Sequence, residues 1–151
     1  MDVRDYLNQG YLLSQKIASD EAMLQELRER SMSVSAVSYG ERLFKSDNRN
    51  AGFVRVLNKI DDVTVQVQKE IELLIQLKKQ IWCVINTAPT LREQMVLQYR
   101  HIENKCWEEI GDMLKVNEKT ARRWYRDALE KITLPEHPMD LDKILQKTEE
   151  N

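Results

Sequence analysis

The chain has 151 residues, which is enough for one compact domain or for one small domain with a helical extension. It contains four glycines and three prolines, and 32% of its residues are charged, which disfavours a sheet protein and favours an all-α fold. The net charge of −2 does not exclude a nucleic-acid binder, because such a protein needs a local basic patch rather than a basic total.

The cysteines and histidines argue against metal or catalytic chemistry. Cys83 and Cys106 are isolated in the sequence, and a zinc site would require them to converge with His101 and His137, whereas zinc ligands usually come in close pairs. No Gly-rich phosphate loop or Ser/His/Asp set is evident, so we expect no enzymatic activity and no cofactor. The lack of a signal peptide and of a run of about 20 apolar residues predicts a cytoplasmic protein that makes no membrane contact.

Residues 2–30 carry the pattern of an amphipathic helix. Its apolar positions alternate in steps of three and four or their sums; they are Val3, Tyr6, Leu13, Ile17, Leu24 and Leu27. Gly10 and Asp20 fall on the same seam and weaken it. Residues 31–52 are rich in Ser and Asn without a sustained period, so they predict a flexible loop, with a short turn of helix near Arg42–Lys45.

A second, stronger pattern runs from Phe53 to Asn86 and predicts a helix of about 30 residues, some 45 Å long. Its heptad-like positions are Leu57, Ile60, Val67, Ile71, Leu74, Ile81 and Ile85, and the stripe is widened by Val63, Ile75, Leu77 and Trp82. A helix of this length packs antiparallel against the first helix, against a second chain, or against both. We therefore expect residues 1–86 to form a helical hairpin or a coiled coil for oligomerisation, with a homodimer favoured.

A domain boundary is predicted at residues 86–90. Pro89 ends the long helix because it lacks an amide proton and restricts the residue before it. Thr90 and Glu93 have the spacing of a capping box, so a new helix begins at Leu91. Its inward-facing residues are predicted to be Met95, Val96, Tyr99 and Ile102.

Residues 134–151 follow two closely spaced prolines and carry two basic residues against five acidic ones. This composition predicts an acidic tail with a short helix over Asp140–Lys147.

The stretch Trp107–Ile132 reads as two helices joined by a tight turn. The first has one apolar face, formed by Trp107, Ile110, Met113 and Leu114. Gly111 allows close approach of the next helix, and Lys115–Asn117 forms the turn, with Asn117 as the N-cap of the second helix. The inner stripe of that second helix is predicted to contain Ala121, Trp124 or Tyr125, Ala128, Leu129 and Ile132. This organisation is typical of a helix-turn-helix, which places its second helix in the major groove of DNA.

The opposite face of the second helix is basic, which predicts a DNA-binding surface. Arginine suits this place because its planar fork pairs with guanine edges or bridges phosphates. Arg122, Arg123 and Lys119 are expected to contact base edges or nearby phosphates, and Glu118 or Thr120 to add base readout. Backbone contacts are expected from Arg126, Lys115 and Arg100. The alternative is an ordinary surface helix whose arginines are solvated.

The run EEIGDMLKVNEKTARRWYRDALEKI resembles the promoter-reading C-terminal domain, region four, of bacterial sigma factors. The matching features are a Glu-Ile-small step, a Leu, a turn with Val, and a late Ala-Leu. Across its length the chain also resembles small phage-encoded regulators of the ArpU and RinA kind, which are late-gene activators. Cys106 stands where the sigma family often has a Ser or Thr cap, so capping by Asn104 or by water is expected instead. No sigma core-binding region is evident.

The resemblance implies a sequence-specific transcriptional regulator of phage or prophage origin that binds double-stranded DNA through the helix at 118–132. Two alternatives stay open at this point. One is an adaptor that contacts RNA polymerase without strong DNA binding. The other is the DNA-recognition subunit of a phage packaging machine.

Overall fold

The computed structural model describes the backbone of residues 1–40 and 46–150 and the side chains of residues 1–33 and 51–150. Within these ranges the chain is all-helical and contains no strand, as the sequence predicts. The helices described are α1 (Val3–Gly40), α2 (Ser46–Ile85), α3 (Leu91–His101), α4 (Trp107–Leu114), α5 (Glu118–Lys131) and α6 (Leu141–Glu149). None of these described helices contains an apolar stretch that could span a bilayer.

The two long helices extend into the stretch for which the sequence predicts a loop. α1 continues to Gly40 and α2 begins at Ser46, so the connection is shorter than the predicted 31–52. Ser and Asn reduce helix propensity by at most about 0.7 kcal/mol per residue, and the stretch contains no proline, so its composition permits α1 to continue to Gly40 and α2 to begin at Ser46. The turn of helix predicted near Arg42–Lys45 lies outside the described residues.

Contacts divide the chain into two compact units. The first unit contains Met1–Leu13 together with Leu74–Asn151, and the second contains Ser14–Leu73. Each unit therefore includes a part of both long helices. The first turns of α1 and the last turns of α2 belong with α3 to α6, and not with the remainder of the long helices.

In the second unit, the segments of α1 and α2 run antiparallel along a shared apolar seam. The buried cluster on this seam consists of Leu24, Val63 and Val67, with Leu27 and Ile60 packed against it. Lys16, which comes earlier in α1, reaches Glu70, which comes later in α2, and this order gives the antiparallel direction. The α1 seam predicted from the sequence is confirmed here, because Ile17 and Leu24 are both buried.

The predicted stripe of α2 is wrong at two positions in this unit. Leu57 and Ile71 are each 38% exposed, whereas Glu70 is only 2% exposed. The buried residues Val63, Val67 and Glu70 follow a step of four and then three, which is the step of a helical seam. The sequence pattern favours Ile71 on the seam because it is apolar, but the neighbouring Glu70 is the residue buried there.

A pair of carboxyl groups, Asp20 and Glu70, is buried on this seam. Lys16 Nζ lies 2.8 Å from Asp20 Oδ2 and 3.8 Å from Glu70 Oε1. Burial raises the pKa of Glu70, and the hydrogen bond with Asp20 raises it further. Burial also acts to raise the pKa of Asp20, but hydrogen bonds from Glu70 and Lys16 outweigh it and lower that pKa. The pKa values of the two carboxyl groups are therefore shifted apart, that of Glu70 upward and that of Asp20 downward.

In the first unit, the ends of the long helices share a core with α3, α4 and α5. The large residues buried in this core are Tyr6, Leu7, Leu77, Ile81, Ile85, Val96, Leu97 and Ile110. The widening of the α2 stripe predicted at Ile75 and Trp82 is wrong, since these side chains are 64% and 50% exposed. The core positions of α2 follow the same four-and-three step as in the second unit, and this step leaves Ile75 and Trp82 outside.

Gly10 lies on the seam of α1 within the first unit. A Cβ atom at this position would lie 3.6 Å from the carbonyl oxygen of His101 and 3.7 Å from Cδ1 of Ile81. The backbone of α1 thus passes close to the C-terminal end of α3, and Gly10 marks this approach.

Two glutamine side chains anchor the segment that precedes α6. Gln80 Nε2 donates to the carbonyl of His137 at 2.9 Å, and Gln80 Oε1 accepts from the amide of Met139 at 2.9 Å. Gln9 Oε1 accepts from the amide of Leu141 at 2.8 Å. Asp140 caps α6, and this helix confirms the short helix that the sequence predicts over Asp140–Lys147.

Candidate nucleic-acid interface

α3 begins with the cap that the sequence predicts. Thr90 Oγ1 accepts a hydrogen bond from the amide of Glu93 at 3.4 Å. Glu93 is buried and pairs with Lys131 in the last turn of α5, which lowers the pKa of Glu93. The start of α3 and the end of α5 are therefore held together by a charged pair. Val96 is fully buried as predicted.

The sequence predicts that Asn104 or water caps the N-terminus of α4, and the structure shows a different cap. Cys106 is the N-cap residue, and the Glu109 carboxylate accepts from its amide at 3.0 Å. The same hydrogen bond lowers the pKa of Glu109, because it favours the charged carboxylate. Glu109 lies in the first turn, where the helix dipole also favours negative charge. The α4 N-terminus lacks a Ser or Thr side-chain cap, and the Glu109 carboxylate, which is the second element of a capping box, accepts a hydrogen bond there instead.

The turn between α4 and α5 occupies the three residues predicted for it. Lys115 adopts a left-handed conformation with φ of 57°, and the amide of Val116 donates to the carbonyl of Gly111 at 2.9 Å. A Cβ atom on Gly111 would lie only 2.8 Å from the carbonyl oxygen of Val116. Glycine at this position therefore allows the tight return of the chain that brings α5 against α4.

α5 is capped by Asn117, whose Oδ1 accepts from the amide of Thr120 at 2.8 Å. The buried face of the helix consists of Ala121, Tyr125 and Ala128, followed by Ile132 just after the helix. Of the two aromatic residues that the sequence allowed on the inner stripe, Tyr125 is the one that is buried, and Trp124 is half-buried. Lys119, Arg122, Arg123 and Arg126 are all exposed on the other side of α5.

A buried polar network connects α5 with α3 and with the first turns of α1. His101 is 2% exposed, and its Nε2 lies 3.0 Å from the hydroxyl of Tyr125. The imidazole also hydrogen-bonds with the backbone of Leu7, and Arg4 hydrogen-bonds with the hydroxyl of Tyr125. Burial, with the nearby positive charges of Arg100 and Arg4, lowers the pKa of His101 to about 3. The ring is therefore neutral and serves as a structural link.

Trp107, the first residue of α4, makes cation–π contacts with two arginines. The guanidinium of Arg100 is 5.0 Å from the centroid of the Trp107 ring, and that of Arg122 is 5.5 Å from it. Tyr125 meets the same ring edge-on, with centroids 5.0 Å apart. Cation–π contacts of this kind contribute about 0.5–1 kcal/mol each at exposed sites. They hold two arginines of different helices in one place.

These side chains border a cleft of about 650 Å³ in the first unit. Its described lining consists of Arg4, Asn8, Arg100, Trp107, Glu118, Lys119, Arg122, Tyr125 and Arg126. Five of these nine residues are basic and one is acidic, so the cleft attracts anions.

The cleft brings together five of the site residues proposed from the sequence, which are Arg100, Glu118, Lys119, Arg122 and Arg126. Arg122 also lies 3.6 Å from the carboxylate of Glu118. Arg123 is exposed elsewhere on α5, Lys115 is exposed in the turn, and Thr120 is half-buried at the start of α5. These three residues lie outside the cleft.

Sequence reasoning missed Arg4 and Asn8, which come from α1. Nothing in the apolar pattern of α1 distinguishes these exposed positions from the rest of its polar face. Their proximity to α5 depends on the packing of chain segments about 100 residues apart, which no local motif records. The sequence predicts Trp107 on the buried face of α4, and it is instead half-buried, with its ring in contact with two guanidinium groups.

The three helices α3, α4 and α5, with the tight turn between the last two, define a helix-turn-helix domain. Residues 90–133 match the family described as Sigma-70, region 4, and so form a sigma-factor region-four-like helix-turn-helix of the DNA-binding kind. The comparisons with curated proteins and with solved structures gave no match.

Proposed function

We propose that this protein is a sequence-specific DNA-binding regulator of transcription that places α5 in the major groove. The observation that carries the proposal is the division of α5 into two faces. One face is buried against α3 and α4, and the other presents exposed Lys119, Arg122, Arg123 and Arg126 immediately after a capped tight turn. The resemblance to phage late-gene activators supports a role in the gene expression of a phage or prophage.

The proposed contacts follow from the position of each side chain. Lys119, Arg122 and Arg123 lie in the first half of α5, the part of a recognition helix that reaches base edges. Glu118 and Thr120, in the first turn, add base readout.

Arg126, further along α5, Arg100 on α3 and Lys115 in the turn are proposed to contact phosphates. Phosphate contacts fix the register and supply affinity, and base contacts supply the specificity.

Arg122 must leave its partners in the unbound protein before it can read a base. Its contacts are an exposed pair with Glu118 and a cation–π contact with Trp107. Exposed helix pairs of this kind contribute about 0.3–0.5 kcal/mol, and the cation–π contact adds about 0.5–1 kcal/mol. A bidentate contact to guanine contributes about 1–3 kcal/mol of discrimination, so the exchange is favourable.

The test is selection of bound sequences from random DNA, followed by affinity measurements on the recovered site. Arg122→Ala is expected to weaken binding to that site by about 1–3 kcal/mol if Arg122 reads a base. Arg28→Ala is the matched control, because Arg28 is an exposed arginine of α1 in the second unit. An equal loss on the selected site and on random DNA would assign Arg122 to a phosphate instead.

The salt dependence of DNA binding distinguishes the proposed regulator from the RNA-polymerase adaptor, and the oligomeric state on DNA distinguishes it from the packaging subunit. DNA binding is expected to weaken steeply as salt rises, because bound phosphates release counterions. Absence of DNA affinity at low salt, together with capture of RNA polymerase, would replace the proposal with the polymerase adaptor. A ring-shaped oligomer on DNA would favour the packaging subunit.

We further propose that the regulator acts as a homodimer, because one helix-turn-helix usually needs a second half-site for useful specificity. Ile75 and Trp82, two helical turns apart on α2 in the first unit, are exposed apolar side chains that support this proposal. Light scattering at micromolar concentration tests it. Trp82→Glu is expected to give a monomer, whereas Leu91→Glu, at an exposed position on α3, should leave the dimer unchanged. A monomeric wild-type protein with full DNA affinity would contradict it.

A further inference from the structure

The basic cleft in the first unit has one wall that lies outside the helix-turn-helix. α5 supplies Glu118, Lys119, Arg122 and Arg126, and α1 supplies Arg4 and Asn8. Both α1 residues are exposed, so their side chains are accessible from solvent. The sigma-like region, residues 90–133, therefore supplies only part of this anion-attracting surface.

The position of Arg4 is fixed by packing. Tyr6 and Leu7, which follow Arg4 by two and three residues in α1, are fully buried in the core of the first unit. The guanidinium of Arg4 hydrogen-bonds with the hydroxyl of Tyr125, which is itself bonded to His101. A guanidinium with one fixed bond still has further N–H donors to offer. Arg4 is thus oriented beside the face of α5 that carries the proposed DNA contacts.

Arg100 is held on the same cleft by comparable constraints. Its Nη1 donates to the carbonyl of Lys105 at 3.0 Å, and its guanidinium stacks on Trp107. Arg4 and Arg100 both act on His101, where each charge contributes to lowering the pKa. Arg4 and Arg100 line the same cleft, and two guanidinium groups placed in this way are suited to a phosphate, which can accept hydrogen bonds from both.

We propose that the first turn of α1 is part of the DNA-binding surface, and that Arg4 together with Arg100 holds a backbone phosphate at the edge of the groove that α5 enters. This inference rests on the proposed function. Asn8, one turn further along α1, can donate its amide to the same phosphate or to its neighbour. A free nucleotide carries the same chemistry, but the α5 wall of the cleft favours phosphate of the DNA that α5 reads.

The experiment measures the dissociation constant of Arg4→Gln as a function of salt, on the selected site and on random DNA. Loss of one phosphate contact lowers the slope of log Kd against log salt by about 0.9. At about 0.1 M salt the same loss corresponds to roughly eightfold weaker binding. The loss should be equal on both DNAs, because a phosphate contact carries no sequence information. Arg28→Gln, on the same helix but in the second unit, should change neither the slope nor the affinity.

A purely structural role for Arg4 is tested with Tyr125→Phe and Arg4→Lys. Tyr125→Phe removes the hydrogen bond that orients Arg4 but keeps the charge, and Arg4→Lys also keeps the charge. Both variants should retain the wild-type salt slope, even if their thermal stability changes. A wild-type slope in Arg4→Gln, or an equal reduction in Tyr125→Phe and Arg4→Gln, would overturn the inference.

Failure of the inference can be told apart from failure of the proposed function. If the wild-type protein binds no DNA, the proposed function falls and the inference falls with it. If the wild-type protein binds DNA and Arg4→Gln matches Arg28→Gln, only the inference falls. Binding of adenosine triphosphate in calorimetry that is lost in Arg4→Gln, with the DNA salt slope unchanged, would assign the cleft to a free nucleotide.

Discussion

Acid is expected to destabilise the first unit through His101. Its pKa is about 3 in the folded protein and about 6.5 in an unfolded chain. Between these values the unfolded state holds a proton that the folded state lacks, so stability is complete above pH 6.5 and is lost as the pH falls toward 3. The loss approaches 1.4 kcal/mol per pH unit, which gives about 2 kcal/mol between pH 7 and pH 5.

The assay is urea denaturation of the wild-type protein and of His101→Gln at pH 7, 6 and 5. Glutamine can donate and accept hydrogen bonds as the neutral ring does, but it does not titrate. Glu70, whose raised pKa contributes with the opposite sign, is present in both proteins and cancels in their difference. The free energy of unfolding of the wild type should fall by about 2 kcal/mol relative to the variant. A difference that stays constant from pH 7 to pH 5 would refute the reasoning.

Three further predictions concern stability, each read from denaturation followed by circular dichroism. Gly10→Ala should raise Tm by about 2–4 °C, since alanine adds about 1 kcal/mol of helix propensity and its Cβ meets only ordinary van der Waals contacts. Gly111→Ala should instead lower Tm, because its Cβ would lie 2.8 Å from a backbone carbonyl oxygen. Asn117→Ala should cost about 1 kcal/mol by removing the cap of α5, and an unchanged midpoint would show that water replaces it. The double change Asp20→Leu with Glu70→Leu should stabilise the protein by about 1–4 kcal/mol, and a loss of stability would show that the buried pair is net favourable.

Local chemistry made much of the DNA-binding domain predictable. The Thr90 and Asn117 caps, the three-residue turn and the small residue at position 111 depend on atoms no more than about five residues apart in the sequence. Such interactions depend only on short segments of the sequence, so the order and bounds of α3, α4 and α5 can be predicted from them. The exposed basic face of α5 follows from the same periodicity.

The seam of α2 and the α1 wall of the cleft were not predictable in this way. The apolar pattern of α2 assigns Ile71 to the seam, because a pattern in one helix contains no information about the side chains of the helix that packs against it. Glu70 interacts there with Asp20 and Lys16 of the other helix, and such interactions depend on how the two helices pair. Arg4 likewise becomes a site residue only when α1 is packed on residues about 100 positions later.

The packing of Tyr6 and Leu7 in the core shared with α3 and α5 also has a consequence for biosynthesis. Lys131 at the end of α5 leaves the ribosome more than 120 residues after Tyr6 and Leu7. At about 5–20 residues per second, the first turns of α1 wait roughly 6–25 s for their final partners. During that interval their apolar side chains have no completed core to enter, and transiently exposed apolar surface of this kind is prone to aggregation. The helix-turn-helix domain thus completes its core only after the first turns of α1 pack onto helices synthesised about 100 residues later.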